Sequence, residues 1–191
     1  LENYNIGETE LFQMSTKDNI LLNTRMIKPY DFDENKKYPV LIYVYNGPQI
    51  QLLTNSWLLG TPLWMYYLAN QDYLIFTIDG RGSENRGKAF EQIVFRNLGE
   101  FEMQDQILGY NYLTSLPYVD KNRIALHGWS YGGFMTTNLL LSYPDLFSCG
   151  VAGGPVIDWS FYEIMYTERY MGTPLQNPDG YKKTNLYNKC E

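Results

Sequence analysis

One pentapeptide constrains this chain more than any other stretch: Gly128-Trp129-Ser130-Tyr131-Gly132. A serine framed by glycines at this spacing belongs on a sharp strand-to-helix turn, where two backbones nearly collide. The flanks suit such a turn. Arg123 to His127 reads as a short buried strand, and Tyr131 to Leu141 as a helix that stops before Pro144. The turn holds the Ser130 hydroxyl clear of the backbone at the carboxyl end of a strand. The helix N-terminus that follows favours the negative charge developing in an acyl-transfer transition state, and the backbone N–H of Tyr131 is one oxyanion donor. The only histidine of the chain, His127, precedes Ser130 by three residues. It lies in the strand itself, cannot swing round to take the serine proton, and is read as a strand histidine.

The rest of the pattern agrees with an α/β fold. Glu10–Met14 and Ile20–Ile27 read as a hairpin around Lys17-Asp18-Asn19. Val40 to Tyr45 and Tyr73 to Ile78 are continuous apolar, β-branched runs, expected as strands buried on both faces. Gly99 to Leu116 reads as a helix with Phe101, Leu108, Tyr112 and Leu116 along one face, closed by Pro117 and the turn Asp120-Lys121-Asn122. A last strand is expected at Cys149–Ala152. Strands alternating with helices at this spacing predict a mostly parallel sheet with helices on both faces. The expected organisation is a single unit: residues 1–37 a leading hairpin and loop, 38–154 the sheet and helix core, 155–191 an aromatic segment with a polar tail.

Composition excludes several classes. A net charge of −6 without any Lys/Arg run argues against nucleic-acid binding. No apolar run approaches the roughly 18 residues of a membrane span. Cys149 and Cys190 have no metal-ligand spacing, make at most one bridge and leave the compartment undecided. No metal or organic cofactor is implied. The beginning, Leu1-Glu-Asn-Tyr, has neither the initiator methionine nor the features of a signal segment and reads as the middle of a longer polypeptide.

Aromatic residues crowd the stretch from Pro155 to Gly172: Trp159, Phe161, Tyr162, Tyr166 and Tyr170. Trp159, Tyr162 and Tyr166 stand at helical spacing, so one helix face would present all three rings, either as a core stripe or as a pocket wall. Asp79 and Arg81 follow a sheet strand and read as a hydrogen-bonded loop brace. Glu102 and Asp105, near the start of a helix, suit its dipole and need no further role. Glu168 and Arg169 read as a local ion pair.

Five blocks in order resemble the dipeptidyl peptidase IV group of the prolyl oligopeptidase family. They are Tyr38-Pro39 with Val44-Tyr45-Asn46-Gly47-Pro48; Asp79-Gly-Arg-Gly-Ser83; Leu98-Gly99 with Phe101-Glu102 and Asp105-Gln106; Gly128-Trp-Ser-Tyr-Gly-Gly133; and Tyr166-Thr-Glu-Arg-Tyr-Met-Gly172. The resemblance implies an α/β-hydrolase fold, here incomplete and lacking its last strands. It implies that Ser130 is the acyl-forming nucleophile and that the Tyr45 hydroxyl joins the Tyr131 N–H in the oxyanion hole. Tyr131, Val156, Trp159, Tyr162 and Tyr166 match the pocket for the residue before the scissile bond, where a compact aromatic box suits a proline ring. Trp129 matches the leaving-group side.

The resemblance also says what these 191 residues do not contain. Family members carry the triad aspartate and histidine after two further strands, and a β-propeller whose paired glutamates bind the substrate's amino terminus. The expected function is that of a fragment of a serine exopeptidase cleaving N-terminal Xaa-Pro or Xaa-Ala dipeptides, nearly inactive in isolation. Its partners are then peptides with proline or alanine at the second position. Its bare sheet edge invites pairing with another chain or its own copies as a homo-oligomer. By resemblance the location is extracytoplasmic: periplasmic, secreted or cell-surface. The alternatives are a non-catalytic peptide-binding relative, or an oligopeptidase, acylaminoacyl peptidase or esterase on the same scaffold.

Overall fold

A computed structural model describes residues 5–190. Six strands form one sheet: β1 (Thr9–Ser15), β2 (Leu21–Ile27), β3 (Tyr38–Tyr43), β4 (Leu74–Asp79), β5 (Val119–Trp129) and β6 (Cys149–Gly153). Their spatial order is β1-β2-β4-β3-β5-β6. The hairpin β1–β2 adds to the sheet through an antiparallel β2–β4 pairing, and β4, β3, β5 and β6 run parallel to one another. The helices are α1 (Leu63–Ala69), α2 (Lys88–Glu91), α3 (Glu100–Ser115), α4 (Tyr131–Ser142), α5 (Ile164–Met171) and α6 (Pro178–Thr184).

Two apolar clusters lie on opposite faces of the sheet. Val40, Ile42, Leu74, Phe76, Ile78 and Leu126 pack beneath α3 and α4, with Leu113, Phe134, Met135 and Leu139. Ile27 and Ile75 meet Met65, Tyr66 and Ala69 of α1 on the other side. The α/β architecture with helices on both faces is therefore as the periodicity predicts. Among the described residues no helix is long and apolar enough to cross a membrane.

Local differences have physical causes. β4 is buried along its whole length, but β3 alternates, with Val40 and Ile42 buried and Leu41 and Tyr43 only half covered. The short α1 shields the β4 side of that face and leaves β3 partly open. The Asp120-Lys121-Asn122 turn exists, yet it bulges out within β5: Tyr38 pairs with Val119 and Val40 already with Ile124. The Asp120 carboxylate holds the bulge by accepting from the Asn122 N–H at 3.1 Å and from Arg123 Nε at 2.7 Å.

Helix α3 departs most from its expected packing. Its buried residues are Glu102, Asp105, Gln106, Gly109 and Leu113, whereas Phe101, Leu108 and Tyr112 are only partly buried. A polar row at i, i+3 and i+4 faces inward, where Glu102 meets Tyr131, Asp105 meets Arg81 and Gln106 meets Asn46. Gly109 allows the close approach, since a Cβ at that position would collide with the Ile78 and Phe76 side chains. Cys149 and Cys190 are both free and exposed.

Candidate active site

The parallel strands end on one side of the sheet, and the singled-out residues gather there. Open α/β sheets bind ligands at the carboxyl ends of their strands. β5 ends at Trp129, and α4 begins at Tyr131 with Ser130 between them at φ 58° and ψ −115°. A serine adopts this left-handed backbone only where its surroundings enforce it. They do so here. The Ser130 N–H donates to the Gly153 carbonyl at 2.8 Å, and its own carbonyl accepts from the Phe134 N–H at 3.0 Å. A Cβ on Gly128 would strike the Gly132 and Val44 carbonyls, and one on Gly132 would strike the Val44 carbonyl, so both glycines are needed for close approach. The first N–H groups of α4, that of Tyr131 among them, have no carbonyl one turn earlier to bond.

Tyr45 stands two residues beyond the end of β3, half-buried, with its ring centroid 6.1 Å from that of Tyr131. Burial above all, and then the neighbouring Tyr162, push its phenol above the ordinary range, while the Ser130 side chain beside it pulls the other way. The next residue, Asn46, is left-handed at φ 56° and 3% exposed. Its side-chain oxygen accepts from Gln106 Nε2 at 2.8 Å, which ties the loop carrying Tyr45 to α3.

The aromatic residues do meet, though not on one helix. Trp159–Phe161 forms a single 3-10 turn, the chain extends at Tyr162 and Glu163, and α5 starts only at Ile164. The Glu163 side chain accepts from the Met165 N–H at 2.9 Å and caps α5 there. Tertiary folding nevertheless places Trp159 against Tyr131 at 5.5 Å, Tyr162 at 5.6 Å and Tyr166 at 5.9 Å, measured between ring centroids. Tyr162 and Tyr166 meet edge-on at 5.7 Å. Trp159 and Val156 are buried, whereas Tyr162 remains 40% exposed. A cavity of about 300 Å³ opens beside the cluster, lined by Pro155, Val156, Asp158, Phe161 and Tyr162. Trp129 is 64% exposed and lies across the Gly153 backbone.

Burial first, then the Tyr45 phenol, raises the Tyr166 phenol well above its ordinary range. Its hydroxyl, like the Trp159 indole N–H, is buried and without a partner among the described residues.

His127 occupies the strand position expected of it. Its Nδ1 bonds the Val151 carbonyl at 2.8 Å, and its ring packs near Tyr43 and Trp64 at 5.6 and 5.7 Å. The Asp79 and Arg81 brace is also present. Asp79 accepts from the Leu52 and Leu53 N–H groups at 2.9 and 2.8 Å, and Arg81 Nη2 pairs with Asp105 at 2.7 Å. Two smaller expectations fail. Among the described residues no ion pair joins Glu168 and Arg169, since neighbours on a helix point in different directions. Glu102 does lie in the first turn of α3, where its Oε1 accepts from the Gly99 N–H, but it has a further role: it is fully buried, and the same oxygen accepts from the Tyr131 hydroxyl at 2.6 Å. Its spacing with Asp105, Gln106 and Gly109 was the one sequence signal for that inward face. No cluster of three or more metal-binding side chains occurs among the described residues.

A parallel-centred sheet that delivers a serine on a left-handed elbow ahead of a helix belongs to the α/β-hydrolase class. Residues 61–191 match the Prolyl oligopeptidase family, and the chain belongs to that family, within its dipeptidyl peptidase IV group. Dipeptidyl peptidase 8 of Mus musculus is 39% identical over 173 residues, covering 90% of this chain and 19% of that protein. A probable dipeptidyl-aminopeptidase B of Botryotinia fuckeliana is 42% identical over 177 residues, covering 92% of this chain and 19% of that protein. Among solved structures, dipeptidyl peptidase 4 of Porphyromonas gingivalis superposes with a TM-score of 0.88 at 39% identity, over 95% of this chain and 25% of that one. A Bacteroides ovatus protein provisionally assigned as dipeptidyl aminopeptidase IV superposes with a TM-score of 0.95 at 53% identity, over 98% of this chain and 27% of that one. The chain thus spans about a fifth of the length of these curated relatives.

Proposed function

We propose that these residues carry the nucleophile, the oxyanion donors and the specificity pocket of a serine dipeptidyl peptidase that releases Xaa-Pro or Xaa-Ala from peptide N-termini. One observation carries the reading: Ser130 sits on a strained elbow beside the Tyr45 phenol, with Tyr131 joining both to the ring cluster. In the reaction Ser130 Oγ attacks the carbonyl carbon of the scissile bond. Charge moves onto the carbonyl oxygen, which accepts hydrogen bonds from the Tyr131 N–H and the Tyr45 hydroxyl. Collapse expels the amine and leaves an ester on Ser130, which water then hydrolyses. The rings of Tyr131, Trp159, Tyr162 and Tyr166 with Val156 hold the flat pyrrolidine ring or the alanine methyl before the scissile bond. Trp129 borders the departing side.

The serine proton needs a base, and His127 does not suit the task. Its Nδ1 is committed to the Val151 carbonyl, and its ring lies with Tyr43 and Trp64. We place the base and its carboxylate partner outside these 191 residues, as we do the groups that hold the substrate's amino terminus. The isolated chain is then nearly inactive, because loss of the base costs about 10⁴–10⁶ in rate. An extracytoplasmic location belongs to the same proposal and rests on resemblance to secreted members of the group.

The test uses the full-length protein that contains this chain. A fluorophosphonate should label it at Ser130, Ser130→Ala should abolish labelling, and a Gly-Pro anilide should be cleaved with release of the dipeptide. Folded protein that resists labelling would point instead to a peptide-binding relative. Preference for long peptides, acylated peptides or simple esters would point to the other enzymes of this scaffold.

A further inference from the structure

Among the described residues three buried carboxylates lie behind the site, and two have conventional partners. Asp105 pairs with Arg81, and Asp79 accepts two backbone N–H groups. Among the described residues Glu102 has no cation partner. It is 0% exposed, and its Oε1 accepts from the Tyr131 hydroxyl at 2.6 Å and from the Gly99 N–H at 3.1 Å. Its Oε2 is buried with no hydrogen-bond partner among the described residues. An uncompensated carboxyl is costly to bury, and apolar packing alone would not place one here.

What it holds is informative. Tyr131 is the one residue that serves both halves of the proposed site: its N–H is the first of α4, and its ring separates Tyr45 from Trp159. The ring is 2% exposed and lies against Phe134 at 5.4 Å, so its hydroxyl end points inward to Glu102. Gly47 and Phe134 restrict sideways movement of the ring, and Glu102 is the side chain that accepts from its far end, with the Gly99 backbone N–H beside them.

We propose that Glu102 is a positioning residue, which through the Tyr131 hydroxyl fixes the wall of the specificity pocket and the direction of the oxyanion N–H. The inference rests on the function proposed above. It adds a residue that touches neither substrate nor the reacting atoms. A shift of the anchor would tilt the ring into the space for the substrate's proline and rotate the start of α4 at the same time. Misplacement of about 1 Å is enough to cost 10²-fold in such a site.

The titratable groups around Glu102 are Asp105 on its own helix, Tyr131 on α4, and Tyr166 on α5. Asp105 is itself neutralised by Arg81. Burial pushes the Glu102 carboxyl up to about 7, so its proton exchanges within the working range of a hydrolase. Protonated, it keeps Oε1 as an acceptor. Ionised, it leaves an unpaired charge beneath the pocket.

Four versions of the full-length protein separate the outcomes: wild type, Glu102→Gln, Glu102→Leu and Tyr131→Phe. Glutamine keeps an acceptor for the Tyr131 hydroxyl, whereas leucine and phenylalanine break the link. Leucine and phenylalanine variants should lose about 10–100-fold in kcat/KM on Gly-Pro anilide, with KM rising more for proline than for alanine substrates. Glutamine should stay within about threefold of wild type and remove the pH inflection near 7. Broken-link variants that match wild type in kcat/KM and in pH profile would overturn the proposal. A readout without turnover keeps this separate from the functional reading. With 3-fluorotyrosine at position 131, the fluorine resonance should titrate near pH 7 in the wild-type background and stop doing so with Glu102→Gln. A resonance indifferent to pH and to Glu102 overturns the anchor even if the enzyme is active. Absence of dipeptide release with an intact titration overturns the functional reading alone.

Discussion

Tyr45 and Tyr131 lie with ring centroids 6.1 Å apart, and Gly47 fills the gap between them so closely that a Cβ there would come within 2.7 Å of the Tyr131 ring and 2.8 Å of the Tyr45 ring. The rings of the two residues that carry the proposed oxyanion donors are therefore held apart by the backbone of a third residue. Gly47→Ala should push both rings apart. We expect kcat/KM of the full-length protein to fall by about 10–100-fold and stability to fall by roughly 1–3 kcal/mol. Normal turnover in this variant would show that the donors are not positioned through Gly47.

Tyr45→Phe isolates the hydroxyl, because the ring and its packing remain. Removal of one oxyanion donor elsewhere costs about 10²–10³ in kcat. The same loss is expected here, with KM changed little, since the bond forms fully only as charge develops. A variant impaired in KM alone would assign Tyr45 to substrate binding instead.

Glu102 makes stability depend on pH. Burial raises its carboxyl from 4.5 to about 7, so the unfolded chain releases this proton at lower pH than the folded chain does. The stability it contributes is complete below 4.5 and is lost as pH rises through 7. The whole shift corresponds to roughly 3 kcal/mol. Urea unfolding of wild type and Glu102→Gln between pH 4.5 and about pH 8 should show the wild type losing ground over this window. A pH-independent difference would mean that Glu102 is ionised in the folded chain throughout.

The Arg81–Asp105 pair braces the loop after β4 against α3, with both side chains almost fully buried. Asp105 also accepts from the Arg81 backbone N–H at 2.6 Å. Asp105→Asn should destabilise the fold by about 3–5 kcal/mol, because it strands a buried guanidinium. Thermal unfolding measures this directly. A shift of less than 1 °C would show that Asp18 and Gln104, the other partners of Arg81, suffice.

The elements that were legible beforehand share a simple origin. β4 is buried from end to end, and its apolar run says so; the Ser130 elbow is written in glycines whose close approaches the fold then uses. The aromatic stretch was legible as a cluster but not in its shape. A helix was expected to present Trp159, Tyr162 and Tyr166 together, and the chain instead breaks at Tyr162 and brings the rings together by folding back. Helix α3 departs from its apolar pattern for the opposite reason. Apolar periodicity points to Phe101, Leu108 and Tyr112, yet Glu102, Asp105 and Gln106 occupy the deepest face. Burial of a polar side chain depends on partners distant in sequence, and hydrophobic pattern carries no record of them.

Local sterics and short-range pattern suffice to read the alternation of strands and helices, the sharp serine turn and the family of the chain. Which groups act on one another follows from the assembled fold instead. Tyr131 reaches Glu102 across 29 positions, Gln106 reaches Asn46 across 60, and Ser130 reaches Tyr45 from a different strand. Such pairings require the sheet to be assembled first. Each strand brings its own loop to a common edge, and the distances among those loops are set by the packing beneath them.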